Sequence, residues 1–293
     1  MSENILNDIL SRTPDKPLYH YTTQSGLLGI IGSRKMWVTH TQYLNDRREF
    51  LHAVDLVRDE LGNRLKTSSA SVTRHQLLQM EEMLQSSPQS INVCVCSFSE
   101  EPDLLSQWRA YGGPAGFAIG FPGEFVKEAT EKRNWFLAPC IYDLTKQREI
   151  ARALVEQVLQ NPKEEPEQFG GMTTFRELRF GWNLIALLNS YAPILKDESF
   201  EEEREWRVIS RPLLCDCECF KFREGKSLLV PYSEFPLCYS DLGFHLSQIT
   251  VGPTRDGDRS RSSIRSFLMH EKVLMRNGSE VPVEISKVPY RDW

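Results

Sequence analysis

Apolar positions along the chain alternate between a two-residue and a helical period, and the changes of period divide it into strands and helices. Residues 2–12 carry a short helical pattern, Pro14 to Pro17 form a turn, and Leu18-Tyr19-His20-Tyr21-Thr22 is a β-prone run. Leu27, Leu28, Ile30 and Ile31 then predict a helix capped by Thr23 or Ser25. Met36-Trp37-Val38-Thr39 reads as a second strand, followed by a polar loop over 40–46. Phe50, Val54, Val57 and Leu61 predict one helix and residues 77–84 another, with a Ser/Thr-rich joint at 66–72.

Strands follow at 91–97 and 116–121, with Asp103 capping a short helix that includes Trp108. Paired glycines ahead of residue 116 predict a close backbone approach. Residues 136–142 read as extended, 144–160 as a helix, 161–168 as a Pro/Glu-rich connector and 175–191 as a long helix. Beyond Trp206 the pattern is mostly strand, at 207–210, 219–222, 228–231, 246–251 and 281–285, with one helix at 258–271. No internal repeat interrupts this order. Strands early and late, with helices between, predict one α+β domain over 1–293 rather than two units on a linker.

Composition narrows the class. A hydrophobic fraction of 40% supplies a core, and a net charge of −5 gives no overall attraction to nucleic acid. No apolar run approaches the roughly 20 residues that span a bilayer, and residues 1–10 lack a basic segment followed by an apolar one. A cytoplasmic protein without a membrane partner is expected. Seven irregularly spaced cysteines fit a reducing compartment. Cys94 and Cys96 read as small hydrophobes in a buried strand. Cys215, Cys217 and Cys219 alternate but lack the paired spacing of a zinc site, so no metal is expected. The chain has no G-x-G-x-x-G phosphate loop, no G-x-S-x-G elbow and no H-E-x-x-H helix.

Two runs carry candidate chemistry. His20 lies between two tyrosines, and Glu203-Arg204-Glu205-Trp206-Arg207 places two carboxylates at i, i+2, on one face if the run is a strand. Each has a bland reading beside it. His20 fits a core histidine, the acidic cluster Glu201, Glu202, Glu203 and Glu205 fits a solvated helix end, and Arg207 fits a partner for Glu205. Asn45-Asp46 suits a turn or a cleft wall, Ser97 and Ser99 suit strand closure and capping, and Trp108 suits the core. Arg255, Arg259, Arg261 and Arg265 read as a solvated helix face or as a phosphate track.

Taken in order, the His20 run, Leu44-Asn45-Asp46, Ser97-Phe98-Ser99-Glu100 with Trp108, Gly116 to Phe121, the Phe200 to Arg207 run, Ile249-Thr250-Val251-Gly252 and Val288-Pro289-Tyr290-Arg291 resemble the bacterial domain-of-unknown-function family 2971, from about residue 18 to 291. That family in turn resembles the ADP-ribosyltransferase superfamily. The resemblance implies an α+β fold with a split mixed β-core and helices inserted at about 47–87 and 144–200. It implies NAD as substrate, with His20, Tyr21, Thr22, Tyr43, Asn45, Ser97 and Ser99 binding it. Glu205 would stabilise the ribose cation, Glu203 would orient or deprotonate the acceptor, and Tyr21 or Tyr43 would stack on nicotinamide. The activity implied is transfer of ADP-ribose to a protein or nucleic acid, in a toxin or a phage-defence effector, with a neutralising partner protein. An NAD glycohydrolase, or a non-catalytic nucleotide- or partner-binding module, are the alternatives.

Overall fold

The computed structural model describes residues 2–44, 48–86, 92–160, 179–213, 217–225 and 227–289. The first half contains α1 (Ser2–Ser11), β1 (Leu18–Thr23), α2 (Gln24–Ser33), β2 (Lys35–His40), α3 (Arg48–Thr67), α4 (Ser71–Ser86), β3 (Cys94–Ser99) and β4 (Gly116–Phe121). Then come α5 (Gly123–Lys132), β5 (Phe136–Pro139), α6 (Leu144–Gln160), α7 (Arg179–Tyr191) and β6 (Glu205–Ile209). The chain closes with β7 (Lys221–Glu224), β8 (Leu229–Pro236), β9 (Gln248–Val251), α8 (Gly257–His270) and β10 (Val283–Ile285).

Among the described residues ten strands form one mixed sheet in the order β10-β9-β4-β1-β3-β2-β8-β7, with β6 pairing β3 and β5. Strand alternation sends successive side chains to opposite faces, and each face meets its own core. Val95, Ala138 and Ile209 pack with apolar residues of α1, α3, α4, α6 and α7. Cys94, Cys96, Phe98, Leu137, Trp206 and Val208 pack on the other face with α2, α5 and α8.

β3 is where the sheet divides. β6 pairs with it from Val95 to Ser99. β2 pairs with it only at Val95 and Cys94, and β1 only at Ser99. Because β6 already occupies one edge at both places, β1 and β2 share the other edge and part from each other between Ser99 and Val95. The sequence expectation of helices combined with a mixed sheet is met, including α6 over 144–160 and α3 and α4 within 47–87, and the sheet is large and open.

Local chemistry explains several boundaries. Thr23 caps α2, its hydroxyl accepting from Gly26 N at 3.2 Å. The close approach expected of the glycines is real: a Cβ on Gly116 would collide with Gly112 Cα. Other expectations change. Asp103 caps nothing; Leu104 holds the N-cap position of the turn Leu105–Gln107, which continues as a π-helical turn, Trp108–Gly112. Asp103 instead accepts from Trp108 Nε1 at 2.7 Å, Ser286 Oγ at 2.5 Å and Lys287 N at 2.8 Å, tying this loop to the segment after β10. Trp108 is core, 2% exposed.

Cys94, Cys96 and Cys140 are buried, with Cys94 pushed up to about 12 by desolvation. Cys217 and Cys219 are joined by a disulfide just before β7, a local bridge that the irregular cysteine spacing did not point to. One intervening residue holds their Cα atoms 5.1 Å apart, an ordinary span for such a bridge. Cys215, Asn45 and the 161–168 connector lie outside the described residues.

Candidate functional site

Glu205, Ser99 and Tyr19 stand opposite one another on β6, β3 and β1. At about 4.8 Å between strands, the outer two backbones of this row are roughly 10 Å apart. Two polar centres flank it.

The first lies on the face shared by Val95, Ser97, Ser99, Glu205 and Arg207. Arg207 Nε and its neighbouring guanidinium nitrogen donate to Glu205 at 2.7 and 3.1 Å, and its remaining nitrogen donates to Pro193 O at 2.6 Å. Lys196 Nζ donates to Glu205 Oε2 at 2.5 Å and also to Glu203 Oε2. Glu205 N donates to Tyr142 Oη at 2.9 Å. Glu205, Arg207 and Lys196 are all buried.

Desolvation pulls the Glu205 carboxyl upward, but the two cations outweigh it and hold its pKa at about 2. Lys196 is correspondingly raised by Glu205, against its own desolvation. Glu203 behaves differently. Burial raises its pKa, Lys196 only partly opposes this, and its Oε1 has no hydrogen-bond partner among the described residues. Tyr111 is 45% exposed, yet desolvation of its hydroxyl and then the charges of Glu205 and Glu203 raise its pKa.

The expectation that both glutamates share one strand face is corrected. A 3-10 turn, Glu198–Glu203, carries the first, and Arg204 at φ +42° reverses the backbone before β6 begins at Glu205. Lys196, rather than the pleat, brings the two carboxylates together. Glu201 and Glu202 are exposed, as a solvated helix end should be.

The second centre is the split. His20 Nδ1 lies 3.0 Å from Ser97 O, and since a carbonyl only accepts, Nδ1 carries the proton. Desolvation lowers the His20 pKa, so the neutral ring presents Nε2 as an acceptor, without a partner among the described residues. The ring contacts Phe98, centroids 5.9 Å apart, and Cys96 Sγ at 3.7 Å. By strand alternation His20 therefore rises from the face opposite Glu205. Ser97 is exposed on the Glu205 face beside Arg207.

Tyr21, Thr22 and Ser99 are engaged within the fold. Tyr21 is buried against Trp108, and its hydroxyl donates to Glu101 O at 2.7 Å and accepts from Leu104 N at 2.9 Å, so it is not available for stacking. Thr22 Oγ1 lies under α2, in the space that a Gly26 Cβ would need. Ser99 Oγ donates to Glu203 O at 2.7 Å and accepts from Glu101 N at 3.0 Å. Tyr43 is 40% exposed in the turn after β2, against His40. The His40 end of β2 pairs Cys94, roughly 17 Å along β3 from the Ser99 row.

Lys196, Tyr142 and Tyr111 escaped the sequence reading. A single lysine directly after the apolar Pro193-Ile194-Leu195 and ahead of the acidic run was the available signal for the first. Arg255, Arg259 and Arg265 are exposed, and Arg261 pairs Asp258 at 2.6 Å, which favours the solvated-face reading. Among the described residues no group of three or more His, Cys, Asp or Glu could hold a metal ion, and no helix is long and apolar enough to cross a membrane.

Residues 107–208 match a family model described as "Protein of unknown function (DUF2971)". This stretch holds Trp108, Tyr111, Tyr142, Lys196, Glu203, Glu205 and Arg207, and it is narrower than the 18–291 range expected from the ordered motifs. No curated protein and no solved structure matches the chain.

Proposed function

We propose that the chain binds NAD at the split beside β3 and transfers its ADP-ribosyl group to a macromolecular acceptor, with Glu203 as the working carboxylate. One arrangement supports this most. The strand that begins at Glu205, the strand bearing Ser97 and the strand bearing His20 are neighbours, Glu203 lies in the turn before the first, and β1 parts from β2 along the edge of the middle one. A split mixed core with these residue types on adjacent strands is what the resemblance to ADP-ribosyltransferases implies.

The chemistry follows from the charges. Breaking the bond between the ribose and nicotinamide leaves positive charge on the sugar while nicotinamide departs with the bonding pair. Glu205 has its charge committed to Arg207 and Lys196. Glu203 retains an open oxygen and a raised pKa, which suits it to hold a ribose hydroxyl and to take the acceptor's proton. His20, neutral and fixed through Nδ1, offers Nε2 to a second hydroxyl. Ser97 borders the same split.

The test is nicotinamide release and transfer of labelled ADP-ribose, for wild type and Glu203→Gln. Wild type is expected to turn NAD over, and the variant to lose turnover while keeping its melting temperature. Undiminished turnover in Glu203→Gln removes that residue from the reaction, and a wild-type protein that does not bind NAD removes the proposal. A second reading, a nucleotide-binding module without catalysis, is favoured by the complete engagement of Glu205. Tight NAD binding without nicotinamide release would establish it.

A further inference from the structure

Beyond β3 the sheet continues through β2, β8 and β7, and pairing sorts their side chains by face. Lys35, Trp37 and Thr39 stand opposite Pro236, Glu234 and Tyr232, while Lys221 and Arg223 stand opposite Tyr232 and Val230. Thr39 also stands opposite Val95, so this is the face that carries Ser97 and Glu205. Trp37 lies two residues before Thr39 and reaches the border of the split.

Trp37 is 54% exposed and leans on the buried Tyr232, ring centroids 4.5 Å apart and planes at 33°. Lys35 and Lys221 hold Glu234 between them at 2.8 and 2.7 Å. Among the described residues Arg223 meets only the Thr39 hydroxyl, at 3.4 Å. Three cations thus surround one carboxylate and an exposed indole, a local reversal of sign on a chain of net charge −5.

We infer that this face binds single-stranded nucleic acid, with Trp37 stacking on an unpaired base and Lys35, Lys221 and Arg223 meeting phosphates. An exposed indole backed by a second ring accepts the π-face of any base, and nearby cations follow the backbone. A duplex keeps its bases stacked inside, where an exposed indole on a strand cannot reach their faces. An acidic peptide would satisfy the cations but leave the indole without a planar partner. The inference stands on this face alone and does not require NAD chemistry.

The experiment titrates the full chain into short fluorescein-labelled oligouridylate or oligodeoxythymidylate and reads anisotropy at several salt concentrations. Trp37→Ala is expected to weaken binding about tenfold or more, and Trp37→Phe to retain most of it. Lys221→Glu combined with Arg223→Glu should weaken binding and flatten its salt dependence, by about 0.7 in the log–log slope for each phosphate no longer neutralised. These side chains are on the surface, so folding serves as an independent control by circular dichroism. Absence of binding by wild type, equal binding by all variants, or preference for an acidic peptide or a duplex over the oligonucleotide would each overturn the inference.

Discussion

On the β6 side of β3, Glu205, Arg207 and Lys196 are 4–5% exposed, and each carboxylate oxygen of Glu205 is bound by a cation. On the β1 side the backbone pairing stops after a single residue, His20 is half-buried, and Ser97 faces solvent. The two sides share one row of the sheet but solve opposite problems. A buried charge must be matched, and the β6 side matches two carboxylates with two cations. The split leaves one carbonyl to a side chain instead of a strand, and that side chain keeps a ring nitrogen open. On the β6 side Glu205 is fully engaged and Glu203 only through one oxygen, and at the split His20 keeps Nε2 without a partner among the described residues.

The largest test of this contrast is Glu205→Gln. If Glu205 stabilised the ribose cation, as the resemblance implies, the variant would lose activity alone. The ion pairs predict a loss of stability as well, because the amide removes the charge that both Lys196 and Arg207 meet in a buried site. A loss of about 3–5 kcal/mol is expected in urea or thermal unfolding. A variant as stable as wild type would mean that the cations are not buried as described. For the same reason Glu203→Gln, which leaves Lys196 its bond to Glu205, is the better probe of chemistry.

Acid unfolding separates the two sides next. The Glu205 pKa of about 2 lies below its ordinary value of 4.5, so the unfolded chain binds the proton more readily between those values. Stability from Glu205 is therefore complete above about pH 4.5 and is lost as pH falls towards 2. His20 is also lowered, from 6.5, so its stabilising neutrality erodes earlier, as pH falls below 6.5. Equilibrium unfolding at closely spaced pH should show two steps of decline, one below pH 6.5 and one below pH 4.5. A flat profile between pH 4.5 and 2 would contradict the Glu205 ion pairs.

How much of this was legible in sequence follows from the range of the forces involved. β1, β3, β4 and α6 show in the alternation and periodicity of their own apolar residues, because local burial sets them. β8 is twice the length expected, since its second half is held by β2, far away in the chain. The glutamate spacing misled because Arg204 adopts a left-handed conformation without being glycine, and no local pattern encodes that. Glu205, Arg207 and His20 were visible as residue types. Lys196 was not, because its role exists only after the Ala192–Ile194 turn is laid beside β6. Tyr21 and Tyr43 looked equivalent as residue types, and tertiary packing buries the first and leaves the second at the far end of β2.

A smaller effect on stability than that of Glu205→Gln, and the sharpest on the split, belongs to His20→Gln. Its ring makes one bond to the Ser97 carbonyl from a half-buried position, where water can replace it, so the cost to folding is expected to be about 1 kcal/mol. His40 is also lowered by burial and titrates in the same range, so the decisive quantity is the difference between wild type and variant. The step of declining stability that begins near pH 6.5 should shrink in His20→Gln, while the Glu205 step below pH 4.5 is unchanged. NAD affinity, read by calorimetry, should fall in the same variant if Nε2 is the acceptor that the split offers. Unaltered affinity would move the binding site off the split and leave His20 as a side chain that only completes the edge of β3.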